Sequence, residues 1–144
     1  MPELKTLLEG YAAWRDLPVQ WGDMDAAQHV NNTVYLRWFE TGRIHFIDTR
    51  MDQPDFKGGS GPILAEQSCR YKLPVTYPDT ITTACRIVPE SIGQYDFQMQ
   101  HIIISHKYMR IAAEGMCRVV WYDFAELRKT AIPDAVRTRL LERM

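Results

Sequence analysis

The feature that most constrains the fold of this chain is one long helical stretch followed by four strand-like stretches with no second helix among them. Residues 33–49 read TVYLRWFETGRIHFIDT, with Tyr35, Trp38, Phe39 and Phe46, and then Leu36, Ile44 and Ile47, recurring at helical spacing and with aromatic bulk on more than one face. A helix this apolar is buried over much of its circumference, so other structure must wrap it. The strand-like stretches are Ile63–Leu73, stopped by Pro74; Thr80–Val88, stopped by Pro89; Tyr95–Ser105; and Arg110–Tyr122. In the third, Tyr95, Phe97, Met99, His101 and Ile103 share a face against Asp96, Gln98 and Gln100. In the fourth, Ile111, Ala113, Gly115, Cys117, Val119 and Trp121 share a face, and its small residues Ala113 and Gly115 leave room for an aromatic residue of the helix. Strands joined without crossover helices pair antiparallel. The expected fold is therefore α+β, a largely antiparallel sheet wrapped around one long central helix.

The flanking segments fill in this plan. Residues 1–13 read as a short helix or loose leader, and 14–22 as a strand that Pro18 confines to an edge or a bulge. Gly42, inside the helical stretch, costs about 1 kcal/mol against alanine and marks a close approach to a neighbour. Residues 51–61 (MDQPDFKGGSG) read as loop, and Ile132-Pro133-Asp134 opens a short amphipathic helix. The whole of 1–144 is expected to be one domain. One short terminal helix cannot cover the outer face of the sheet, so self-association is expected, as a homodimer or homotetramer.

Composition narrows the function classes. The chain is 46% hydrophobic and 24% charged with a formal net charge of -1, and no run of Lys and Arg stands out. No nucleic-acid partner and no membrane partner is expected. Cys69, Cys85 and Cys117 form no CxxC pair and read as buried reduced thiols, which suits a cytoplasmic protein.

The chemistry is concentrated in residues 21–32, WGDMDAAQHVNN, immediately before the helical stretch. Asn31 or Asn32 can cap the helix. The unpaired N–H groups of its first turn suit a carboxylate, a phosphate or a developing oxyanion. Asp25 stands far enough upstream for the loop to bring its carboxylate near those amides. Asp23-Met24-Asp25 fails the calcium-loop pattern, because the fifth position lacks an oxygen ligand and the sixth is not glycine. No second histidine stands near His29 to complete a metal site, no GxSxG elbow is present, and Gly58–Gly61 lacks the GK[ST] of a phosphate loop.

Trp21-Gly22-Asp23-Met24-Asp25, then His29-Val30-Asn31-Asn32 and Tyr35-Leu36-Arg37-Trp38-Phe39-Glu40, resemble the hotdog-fold acyl-CoA thioesterases of the 4-hydroxybenzoyl-CoA thioesterase type. Tyr71-Lys72-Leu73-Pro74, Pro78-Asp79-Thr80-Ile81, Trp121-Tyr122-Asp123 and Ile132-Pro133 extend the resemblance over nearly the whole chain. It implies a hotdog fold, an acyl-CoA substrate and no cofactor or metal. It also implies that Asp25 is catalytic, as nucleophile or general base, and that the Asn32 N–H polarises the thioester carbonyl. His29 and Asn31 match the HVNN variant of long-chain acyl-CoA and plant carrier-protein thioesterases, where His29 would orient Asp25 or water; Ala27 stands where the plant enzymes have asparagine. Asn31 and Tyr35 then become candidate acyl-binding residues, and Arg70 and Lys72 candidate partners for CoA phosphates. A hotdog enoyl-thioester hydratase or dehydratase using His29 with Asp25, and a non-catalytic acyl-thioester binding module, are the other expectations.

Overall fold

The structure is a computed structural model and describes residues 3–50 and 59–142. Helix α1 (Leu4–Leu7) leads to strand β1 (Trp14–Pro18), a short 3-10 turn (Trp21–Asp23) and the long helix α2 (Asn32–Arg50). Strands β2 (Ser60–Tyr71), β3 (Thr80–Val88), β4 (Asp96–Ser105) and β5 (Arg110–Asp123) follow, then the two-residue β6 (Arg128–Lys129) and helix α3 (Asp134–Glu142). The strands form one antiparallel sheet in the order β1-β3-β4-β5-β2, with β6 hairpinned onto β5. Most of the expected loop at 51–61 lies outside the described residues, but Ser60 and Gly61 already belong to β2.

The inner face of the sheet carries α2. Phe97, Met99, His101 and Ile103 of β4 are all buried on that side, as their alternation required. Cys85, His101 and Gly115 lie level on β3, β4 and β5, and the Phe39 ring stacks on His101 with centroids 4.8 Å apart. Gly115 is the seat for that ring: a Cβ there would stand 2.6 Å from a Phe39 ring carbon and 2.5 Å from the Ser68 carbonyl oxygen. The expected fit between the small residues of β5 and a helix aromatic is thus met by Phe39. Gly42 also marks a close approach, to a side chain: a Cβ there would stand 2.6 Å from Thr83 Oγ1, which itself donates to the Trp38 carbonyl oxygen at 2.9 Å. Towards the far end of α2, Phe46 and Ile47 share a core with Trp121, Ile132 and Leu140 of α3.

Three details depart from the sequence reading. Strand β1 ends at Pro18 instead of continuing to residue 22. Asp23 closes the chain there into a 3-10 turn, its carboxylate accepting the Gln20 N–H at 2.8 Å. Ile111 does not share the inner face with Ala113. The pairing shifts between Ile103 and Ile104, leaving Ala112 as the extra residue, and Ile111 packs on the outer side. The outer face is not a bare apolar surface either. Leu4, Leu7, Leu8 and Tyr11 lie over Ala84, Ile102 and Ile104, and much of what remains is polar: Arg86, Gln98, Gln100, Glu114 and Arg118. Among the exposed apolar residues are Ile63, Leu64 and Tyr71 on edge strand β2 and Leu36 and Ile44 on α2.

Candidate active site at the start of the central helix

The loop before α2 folds into a small hairpin. Met24 and Val30 form an isolated antiparallel bridge, the Asp25 N–H donates to the His29 carbonyl at 3.1 Å, and the Gln28 N–H donates to the Asp25 carbonyl at 2.9 Å. Gln28 sits at φ 62°, where the chain turns back. The hairpin is fastened below by the Val30 N–H on the Val75 carbonyl (2.8 Å) and the Asn31 N–H on the Asp23 carbonyl (2.9 Å). Asp23 itself is 7% exposed, with Arg37 of α2 donating to its Oδ1 at 2.8 Å. This carboxylate holds the loop against the helix.

Asp25 is exposed, and both of its oxygens are held: Oδ1 accepts the Ala27 N–H at 2.9 Å, and Oδ2 accepts the Asn31 side-chain amide at 2.9 Å. Asn31 is the N-cap, its Oδ1 accepting the Thr33 N–H at 2.9 Å and the Thr33 hydroxyl at 2.6 Å. Asn32 is the first helical residue; among the described residues its N–H finds no acceptor, and its carbonyl accepts the Tyr71 hydroxyl at 3.0 Å. An open cleft of about 480 Å³ beside Asp25 is lined by Trp21, Met24, Ala26 and Gln28, with Trp21 73% exposed. A carboxylate, an unpaired N–H at the positive end of a helix and an open apolar wall are the parts that acyl transfer needs.

The other candidate residues fall elsewhere. The His29 ring is exposed, and among the described residues it touches no polar group; it meets Asp25 only through the backbone. Tyr35 is buried, and its hydroxyl is occupied by the Val75 N–H at 3.2 Å and the Leu73 carbonyl at 3.4 Å, so it packs the core under the loop. Arg70 faces Glu114 across the β2–β5 pair, and Lys72 contacts Glu114 at 3.3 Å, on the side of the strand away from Tyr71. The structure therefore brings together Asp25, Asn31 and Asn32 and leaves His29, Tyr35, Arg70 and Lys72 outside. Trp21 and Tyr71 stand at the candidate site, the first beside Asp25 in the cleft and the second on the Asn32 carbonyl, and the sequence reading did not single them out as site residues. Strand alternation alone places Tyr71 opposite Arg70 and Lys72, which was the available signal. Cys85 and Cys117 are buried, and burial pushes both thiols up, away from nucleophilic use.

A family model described as the thioesterase-like superfamily matches residues 19–140. The chain belongs to the thioesterase-like superfamily. Solved structures agree. A candidate thioesterase of Pseudomonas aeruginosa, PA2801, is 30% identical, covering 89% of this chain and 97% of its own, with a TM-score of 0.77. A thioesterase of Thermus thermophilus, complexed with coenzyme A and zinc, is 27% identical over 91% and 98% of the two chains, with a TM-score of 0.78. A thioesterase-superfamily protein of Jannaschia shares the fold at a TM-score of 0.83 and 23% identity, over 97% of this chain and 89% of its own. A search of curated proteins returned no match. As a member of the thioesterase-like superfamily with the hotdog arrangement of curled sheet and central helix, the chain is a thioester hydrolase.

Proposed function

We propose that this chain hydrolyses acyl-CoA thioesters in the cleft before α2, with Asp25 as nucleophile or general base and the Asn32 N–H polarising the carbonyl. The observation that carries the reading is that Asp25, which borders an open cleft, is held by the residue preceding Asn32, so acid and N–H donor belong to one helix end. An N–H there stabilises the charge that develops on the carbonyl oxygen, a contribution of about 3 kcal/mol for one such donor. On the nucleophilic route the carboxylate displaces CoA thiolate and water then hydrolyses the acyl anhydride. On the general-base route the carboxylate takes the proton of the attacking water. In both, the thiolate leaves as the carbonyl re-forms and takes up a proton. The coenzyme A in the Thermus complex supports CoA as the carrier of the acyl group. Among the described residues the exposed ring of His29 has no hydrogen-bond partner, which favours hydrolysis over hydration of an enoyl thioester, because hydration would need that ring beside Asp25.

We also assign the chain as a homodimer in solution. The support is edge strand β2, which exposes Ile63 and Leu64, and whose Tyr71 reaches the site through Asn32. The functional test is thiol release from acetyl-, octanoyl-, palmitoyl- and benzoyl-CoA by wild type and Asp25→Asn. Release that collapses in the variant is expected. Release that persists within a few-fold of wild type would remove Asp25 from the chemistry.

A further inference from the structure

We infer that Asn31 is a positioning residue for Asp25, chosen at the helix cap because its amide works in two directions at once. The inference rests on the reading of Asp25 and the Asn32 N–H given above. The side-chain amide of asparagine is a rigid plane with an acceptor on one side and a donor on the other. Here the acceptor, Oδ1, takes the Thr33 N–H and the Thr33 hydroxyl, and the donor, Nδ2, reaches Asp25 Oδ2 at 2.9 Å. The assignment of oxygen and nitrogen is fixed by these partners, since a backbone N–H needs an acceptor and a carboxylate needs a donor.

The Asn31 backbone is held as well, its N–H on the Asp23 carbonyl and its own carbonyl accepting the Val34 N–H at 3.0 Å. Asn31 is thus tied to the loop, to the helix and to the acid, and the next residue supplies the unpaired N–H. With Ala27 holding Oδ1, the plane of the Asp25 carboxylate is set relative to the Asn32 N–H by a single intervening side chain. The two Thr33 donors pull electron density towards Oδ1 and strengthen the amide N–H as a donor to the carboxylate.

Capping alone does not explain this residue. Serine, threonine and aspartate cap helices about as well as asparagine. None of them can accept from the helix through one side-chain atom while donating through another to a carboxylate. Orientation of a reacting group to this precision is worth large rate factors, whereas substrate affinity need not respond.

The experiment separates capping from positioning. Asn31→Ser keeps a cap for the Thr33 N–H and replaces the amide donor to Asp25 with a hydroxyl on a shorter side chain. Asn31→Asp keeps the cap and sets a second carboxylate against Asp25. Both are assayed beside wild type and Asp25→Asn by thiol release from the acyl-CoA panel across pH, with thermal unfolding as the control for the cap. The expected result for Asn31→Ser is a kcat lower by about tenfold or more with KM little changed and the melting temperature within about 3 °C of wild type. In Asn31→Asp a carboxylate stands where the amide donor was, so kcat is expected to fall at least as far as in Asn31→Ser. A residue that only caps the helix would leave the kcat of Asn31→Ser unchanged.

If Asp25→Asn is inactive while Asn31→Ser keeps wild-type kcat, the positioning role is overturned and the reading of the site stands. If Asp25→Asn stays active, the reading of the site fails and the positioning role with it. A readout independent of turnover comes from NMR of the Asn31 side-chain amide. Its resonances are expected to shift in Asp25→Asn, and an unchanged signal overturns the contact.

Discussion

Asp25→Asn keeps the size of the side chain and removes its charge, so a loss of at least ~100-fold in thiol release is expected with folding intact. Rate measurements paired with circular dichroism check both halves of that statement. His101 makes a different prediction, about stability. Its ring is buried under Phe39, Nε2 lies 3.3 Å from Cys117 Sγ, and Nδ1 has no partner among the described residues. Burial first, and then the positive charge of Arg43, lower its pKa from 6.5 to about 3. The folded protein therefore keeps His101 neutral where the unfolded chain takes up a proton. This group has no effect above pH 6.5, and stability falls as pH drops from there towards 3, with a limiting slope of about 1.4 kcal/mol per pH unit. Urea unfolding of wild type and His101→Leu at pH 7, 5.5 and 4.5 should show a steeper decline in the wild type; parallel declines would refute it. At this scale the sequence located the loop that brings Asp25 to the start of α2, because two acids, a histidine and two asparagines crowd before the helix. It was uninformative about Tyr35, where an aromatic on a helix reads alike whether it lines a cleft or fills a core.

For α2 the test is Asn32→Pro. Proline is well tolerated as the first residue of a helix, where its missing N–H has no helical partner, and N-cap residues already hold the extended backbone that precedes proline. The substitution should leave the melting temperature nearly unchanged while costing about 10²–10³ in kcat. A proline variant with wild-type kcat would show that this N–H does not touch the carbonyl oxygen. On the sheet side, Gly115→Ala would press a methyl into both the Ser68 carbonyl and the Phe39 ring, and a loss of about 3 kcal/mol is expected by chemical denaturation. The elements themselves were readable: β3 runs over Thr80–Val88 as expected, and the inner-face residues of β4 are buried, but its alternation stops at His101, beyond which both faces are buried because Leu8 and Tyr11 cover Ile102 and Ile104. The bulge that turns Ile111 outward and the turn that ends β1 were not readable, because each depends on partners distant in sequence or on one carboxylate folding back.

In the molecule as a whole, dimer formation is expected to depend on the edge and not on the sheet face. Replacing Ile63 and Leu64 together with lysine should convert a dimer into a monomer by light scattering at micromolar concentration, since charged edges resist strand pairing. A dimer that survives this change would relocate the contact. Self-association was inferred from a sheet face that turned out to be partly covered and otherwise polar; patterning shows which residues alternate but not what will lie on top of them. The covering segment carries its own consequence. Leu4, Leu7 and Leu8 precede the part of the chain that defines the superfamily, which begins at residue 19, yet they are the lid on Ala84, Ile102 and Ile104. A protein trimmed to begin at Trp14 keeps every residue of the candidate site and still presents a bald apolar spot on a charged sheet. Such a variant would be an active enzyme with poor shelf life, stacking sheet against sheet when concentrated.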